Sequence, residues 1–267
     1  MLLTCQFRSA VLRRNTAITV ILPTPEQENE PVAKDMKVLY LLHGLYGDES
    51  SWIRYSNVER YAKDLGGNIA IVMPGVGNSF YQDMAHGERF YTYMTEELPK
   101  FIQGLFPVSK KREDTYIAGL SMGGYGAFYL ALSRPDLYSA AASFSGAVDI
   151  AFNATPMQMP QSSPHQVSAT GELPFFVENC FGDITKMRGS NRDVIALYEM
   201  SDKENLPRLY QSCGTKDYLF GMNKLFYAKM TQLGAQIQWS ETEGMAHEWD
   251  FWDQEVRFLL GTWLKEN

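Results

Sequence analysis

Apolar and polar residues fall into two rhythms along this chain. Residues 37–42 (KVLYLL) and 69–73 (IAIVM) are almost continuously apolar, and 115–118 (TYIA) and 139–145 (SAAASFS) follow in the same style. Short runs of this kind, without polar alternation, are expected of strands buried on both faces. Residues 207–212 and 236–241 predict two more strands. Residues 2–9 and 15–22, β-rich and separated by a few polar residues, predict an antiparallel pair. Helical patterns lie between: 57–65, ended by Gly66-Gly67; 90–105, with Pro99 as an irregularity; 122–133, rich in small residues; 220–233; and 248–264. In the last, Trp249, Trp252, Val256, Leu259 and Trp263 recur at helical spacing and read as a core stripe. Strands alternating with helices predict an α/β protein with a mostly parallel central sheet and helices on both faces. Residues 23–35 read as a Pro/Glu-rich surface loop. The stretch 151–200 is rich in Pro, Ser, Gln and Met and too long for a simple connection. It reads as an insertion above the strand ends, a small lid on a single domain of residues 1–267.

Composition narrows the classes. The 267 residues are 45% hydrophobic and 21% charged, which is ordinary for a globular protein with a sizeable core. A net charge of −7 argues against general affinity for nucleic acid or an anionic membrane. Three cysteines, Cys5, Cys180 and Cys213, lie far apart, without the spacing of a zinc knuckle or disulfide framework. The chain opens without an apolar segment of signal-peptide length, and no run approaches a membrane span. The expectation is a cytoplasmic protein.

The candidate chemistry centres on Gly119-Leu120-Ser121-Met122-Gly123, a G-x-S-x-G pattern between a predicted strand and a predicted helix. A nucleophile elbow needs that context, because the serine must stand exposed on a sharp turn at the strand end. A serine hydroxyl is a weak nucleophile and needs a base, which needs an orienting acid. Of the four histidines, His43 and His86 precede Ser121, and His165 falls within the insertion. His247, in "EGMAHEW" between the last strand and the last helix, is the expected base. Asp217, in "LYQSCGTKDYLF" after the preceding strand, is the expected acid; Asp183, Asp193 and Asp202 read as solvated loop charge. Backbone N–H groups of Met122 and Leu45 are the candidate oxyanion donors, the latter in the loop His43-Gly44-Leu45-Tyr46-Gly47. His43 reads as a histidine bracing this loop rather than a second base. Trp52 reads either as a wall of the substrate pocket or as loop packing. His247-Glu248 lacks the second histidine of a zinc-protease motif, and Gly75-Val76-Gly77 lacks the third glycine of a dinucleotide fingerprint. No motif here requires a cofactor or metal.

Four blocks in order, "LLHGLYGDESSW", "GLSMGGYGAF", "CGTKD" and "AHEW", together with the opening "FRSAVLRRNTAITVILP", resemble the esterase D-related α/β hydrolases. The likeness is to bacterial tributyrin-esterase-like enzymes, with the related cinnamoyl (feruloyl) esterases and S-formylglutathione hydrolases. It covers nearly the whole chain. It implies an α/β-hydrolase fold and a serine carboxylesterase acting on short acyl or aryl esters, with the triad on Ser121, Asp217 and His247 and the oxyanion donors on Leu45 and Met122. Homo-oligomers are common in the group, and an oligomer is here an expectation from the resemblance alone. S-formylglutathione hydrolases often carry a cysteine-containing stretch after the early glycine, where this chain reads Leu45-Tyr46-Gly47-Asp48, which lowers the thioester reading. Feruloyl or acetyl-carbohydrate esters, acyl transfer and thioester hydrolysis stay open as variants of one chemistry. A non-catalytic binding module is the reading from another class.

Overall fold

Alternate residues of the apolar runs go to opposite faces of one sheet. The computed structural model describes residues 1–23, 33–153 and 169–265. Its eight strands are β1 (Leu2–Arg8), β2 (Asn15–Ile21), β3 (Lys37–Leu42), β4 (Ile69–Pro74), β5 (Thr115–Leu120), β6 (Ala140–Phe144), β7 (Arg208–Gly214) and β8 (Ile237–Thr242), in the order β1-β2-β4-β3-β5-β6-β7-β8. β1 and β2 pair antiparallel, β2 joins β4 antiparallel, and β3 to β8 run parallel. In β3, Val38, Tyr40 and Leu42 enter one core while Leu39 and Leu41 enter the other. That period of two, with both sides covered, is why the run shows no polar alternation.

Helices α1 (Ser51–Tyr55) and α2 (Val58–Asp64) cover one face together with the last helix. On the other face lie α3 (Phe90–Thr92), α4 (Leu98–Leu105) and α5 (Met122–Ser133). The helical pattern over 90–105 is interrupted: between α3 and α4 runs a π-helical turn, Tyr93–Glu97, with Leu98 N–H bonded to the Tyr93 carbonyl. Pro99, in the first turn of α4, supplies the reason. A proline has no N–H to give and its ring collides with the carbonyl four residues back, so the widened turn accommodates it. Glu97 in that turn accepts from Ala10 N–H (2.7 Å) and from the Ser9 hydroxyl, anchoring the β1–β2 connection.

The segment 151–200 is not a lid throughout. It contains α6 (Ala169–Phe181) and α7 (Val194–Met200), and residues 154–168 lie outside the described residues. Val194, Ile195, Leu197 and Tyr198 of α7 are buried in the same core as α5. A parallel strand pair needs a crossover packed on the sheet, and α7 is that crossover between β6 and β7. Before it, Cys180, Phe181 and Met187 are buried in that core as well. The C-terminal end of α6 is tied to the loop after β4, where Ala85 N–H donates to Cys180 O (3.1 Å) and His86 N–H to Asn179 O (2.9 Å). The three insertion-side aspartates each cap a helical turn: Asp183 accepts from Thr185 N–H, Asp193 from Ile195 N–H and Asp202 from Glu204 N–H.

The chain closes with α8 (Phe220–Gln232) and α9 (Trp249–Gly261). The stripe Trp249, Trp252, Val256, Leu259 and Trp263 packs on the core shared with α1 and α2. Among the described residues, no helix is long and apolar enough to cross a membrane.

Candidate active site

The turn between β5 and α5 carries Ser121 at φ 53° and ψ −117°. A non-glycine residue at positive φ is strained and persists only where its surroundings over-determine it. Here Ser121 N–H donates to Phe144 O (2.9 Å), and its carbonyl receives N–H groups of Gly124 (3.0 Å), Tyr125 (3.2 Å) and Ala147 (3.1 Å). Two glycines make the turn possible. A Cβ on Gly119 would lie 2.4 Å from the Gly123 carbonyl oxygen, and one on Gly123 2.6 Å from that of His43. Any side chain at either place would push the elbow away from β3.

Asp217 follows the end of β7. Its side chain is fully buried, with Oδ1 accepting Leu219 N–H at 2.8 Å. The loop after β8 brings His247 beside it. Gly214 permits the approach, since a Cβ there would sit 2.2 Å from the Met245 carbonyl, which instead accepts Lys216 N–H at 2.9 Å. His247 Nδ1 lies 2.9 Å from Asp217 Oδ2, and His247 Nε2 lies 3.0 Å from Ser121 Oγ. A carboxylate only accepts, so Nδ1 carries the proton and Nε2 is left to accept the serine hydroxyl. The imidazole is held between the Tyr218 ring, with centroids 4.5 Å apart, and the edge-on Trp252 ring at 4.9 Å. Trp252 is fixed in turn by its indole N–H on Ser145 Oγ (3.2 Å). Burial pushes the Tyr218 phenol well above its ordinary value, with the Asp217 charge adding to the effect, so it stays protonated.

Met122 follows Ser121 at the start of α5, and Leu45 lies in the loop after β3. Among the described residues neither backbone N–H has a protein partner. The loop holding Leu45 abuts the elbow, since a Cβ on Gly44 would lie 3.3 Å from Ser121 Cβ. Trp52 is not a pocket wall. It is fully buried, its indole N–H donates to Leu42 O at 3.0 Å, and its ring packs on Phe144 and Trp249. The α1 turn points it into the core, which leaves no surface for a substrate. His86 belongs to the contact with α6, and His165 lies outside the described residues. Tyr218 and Ser145 were not singled out by the sequence. Only Tyr218 carried a signal, its place next to Asp217.

A parallel sheet with one antiparallel entry, a serine elbow, and a histidine and aspartate on successive strand-end loops define a serine hydrolase of the α/β-hydrolase fold. The chain matches the model of the "Putative esterase" family over residues 9–258 and belongs to that family. It is 30% identical over 257 residues to an acetyl esterase of Caldicellulosiruptor saccharolyticus, covering 94% of this chain and 93% of that one. Among solved structures it is similar to a fluorophosphonate-binding serine hydrolase of Staphylococcus aureus, with 29% identity, a TM-score of 0.84, and 100% and 99% of the two chains covered. An S-formylglutathione hydrolase of Staphylococcus aureus is similar at 30% identity and TM-score 0.81, over 99% and 98% of the chains. The protein is an esterase, a hydrolase acting on small ester substrates.

Proposed function

We propose that the protein is a serine carboxylesterase for short acyl esters, with Ser121 as nucleophile, His247 as base and Asp217 as its orienting acid. The observation that carries this reading is the unbroken line of contacts from Asp217 Oδ2 through both ring nitrogens of His247 to Ser121 Oγ. The Ser121 oxygen attacks the ester carbonyl as its proton passes to His247 Nε2. The Leu45 and Met122 N–H groups receive the developing oxyanion. The proton then goes to the departing alkoxide, leaving an acyl-Ser121. Water, losing a proton to Nε2, attacks the acyl carbon, and the second collapse returns that proton to Ser121 and frees the acid. The acetyl esterase relative supports a small acyl group. A thioester substrate is the second reading, favoured by the similarity to an S-formylglutathione hydrolase.

Initial rates on p-nitrophenyl acetate, butyrate and octanoate, methyl ferulate and S-formylglutathione test both, with Ser121→Ala as control. A peak at acetate or butyrate, lost in the variant, is expected. Preference for S-formylglutathione would move the assignment to a thioesterase. Substantial turnover by Ser121→Ala would remove Ser121 from the mechanism.

A further inference from the structure

His43 follows the last residue of β3 and is 1% exposed, yet both of its ring nitrogens are engaged. Nε2 faces the Val76 N–H at 3.2 Å, and a backbone N–H can only donate, so Nε2 is the unprotonated acceptor. Nδ1 then carries the hydrogen and donates to the Gly44 carbonyl at 2.7 Å. That carbonyl also receives the Gly47 N–H at 3.2 Å. The peptide joining Gly44 to Leu45 is planar and trans, so its carbonyl and its N–H point in opposite directions. Fixing the Gly44 oxygen therefore fixes the direction of the Leu45 N–H. Burial lowers the imidazole's affinity for a second proton, which keeps the acceptor nitrogen free.

The segment after β4 completes the clamp. Besides Val76, the Tyr81 hydroxyl donates to His43 O (2.9 Å), and Asn78 Oδ1 accepts the Tyr46 N–H (2.7 Å), holding Tyr46 at φ 63°. Asn78 O in turn accepts from Cys180 Sγ of α6 at 3.1 Å. The aim of one N–H is thus set by an imidazole whose tautomer is dictated from a neighbouring loop.

We propose that His43 is a positioning residue for the oxyanion hole: in its Nδ1–H tautomer, imposed by Val76, it holds the Gly44 carbonyl and so aims the Leu45 N–H at the substrate oxygen. This role presupposes that Leu45 is an oxyanion donor, as proposed above. His43 never touches substrate, and His247 remains the base.

Nitrogen-15 NMR of the wild-type protein reads the tautomer directly. Protonated Nδ1 and bare Nε2 are expected at neutral pH, and the opposite assignment overturns the proposal. Function is read from the carbonyl stretch of a slowly deacylating acyl-enzyme, by isotope-edited infrared difference spectroscopy, alongside kcat and KM. His43→Asn keeps an amide N–H near the Nδ1 position and is expected to stay close to wild type. His43→Gln and His43→Leu lose that donor. They are expected to raise the carbonyl frequency and to lower kcat by about tenfold to a hundredfold, KM changing little, since loss of an oxyanion donor costs 10²–10³ at most. Should the leucine variant not fold, the asparagine–glutamine pair decides the matter, as both side chains are polar and of similar bulk. Equal frequencies and equal kcat in those two overturn the proposal. Replacing the Leu45 N–H by an ester oxygen, through α-hydroxy-acid incorporation, separates the two levels. If that leaves the frequency unchanged, Leu45 is no oxyanion donor. If it raises the frequency while His43→Gln does not, Leu45 keeps its role and His43 loses its own.

Discussion

At the scale of single residues, the buried His43 has a second consequence, for stability. Burial lowers its proton affinity from the ordinary value of 6.5, while the nearby Gly44 carbonyl and the Asp48 charge pull the other way and are outweighed. The unfolded chain therefore binds a proton at higher pH than the folded one. The stability that neutral His43 contributes is complete above the unfolded value and is lost as pH falls from there towards the lowered folded value. The slope in that window is at most about 1.4 kcal/mol per pH unit for one proton. His43→Asn cannot titrate, so the stability difference between wild type and variant should shrink as pH falls below about 6.5. Urea midpoints measured from about pH 5 to 8 check this. A difference that stays flat across the range would mean that His43 does not fold as a buried neutral base. The residues at the site were unevenly legible. Ser121, Asp217 and His247 could be named because each sits in a strand-end loop whose boundaries apolar runs mark. Trp52 could not be placed, because its distance in sequence from β3 does not say which way α1 turns. Asn78 was silent, since an amide holding a loop leaves no pattern.

At the scale of elements, the strands were readable because a run such as KVLYLL has few other uses. The exceptions were physical. The π-helical turn before Pro99 follows from a collision with backbone, which periodicity does not register. α7 is only one short helix in a polar stretch, and nothing in VIALYEM distinguishes a crossover from part of a lid. Its packing makes the distinction testable. Leu197 is buried in the core that α7 shares with α5. Leu197→Ala should cost about 2–4 kcal/mol of global stability, as expected for a leucine removed from a packed core. At temperatures where the variant stays folded, it should leave kcat/KM near wild type. Chemical denaturation alongside ester hydrolysis reads both. A variant with unchanged unfolding midpoint and altered substrate preference would return α7 to the lid.

At the scale of the whole molecule, the site is a product of the sheet's direction. Parallel strands place their carboxyl ends together, and loops there meet at one rim. His43 to Tyr46, Asn78, Ser121, Ser145, Asp217 and His247 come from the ends of β3 to β8 in turn, which is why residues 126 positions apart share a hydrogen bond. Tyr46, next to Leu45, is 51% exposed, and its ring meets the edge of Phe176 of α6 with centroids 5.9 Å apart. Phe175, 60% exposed, touches Phe176 from the side. The two phenylalanines adjoin in sequence but differ in contact: Phe176 connects α6 to the loop after β3, and Phe175 packs on Phe176 from the solvent side. An aromatic contact of this type contributes about 0.5–1.5 kcal/mol, or roughly two- to tenfold in a rate constant. Phe176→Ala should therefore lower kcat/KM by about that factor for methyl ferulate, whose ring needs a wall. It should lower it less for p-nitrophenyl acetate, whose acyl group does not reach one. Phe175→Ala should leave both nearly unchanged. The ratio of the two kcat/KM values is the quantity to measure, because it cancels differences in active-enzyme concentration. If Phe175→Ala shifts that ratio as far as Phe176→Ala, or if neither shifts it, the Tyr46–Phe176 contact does not line the path of the substrate.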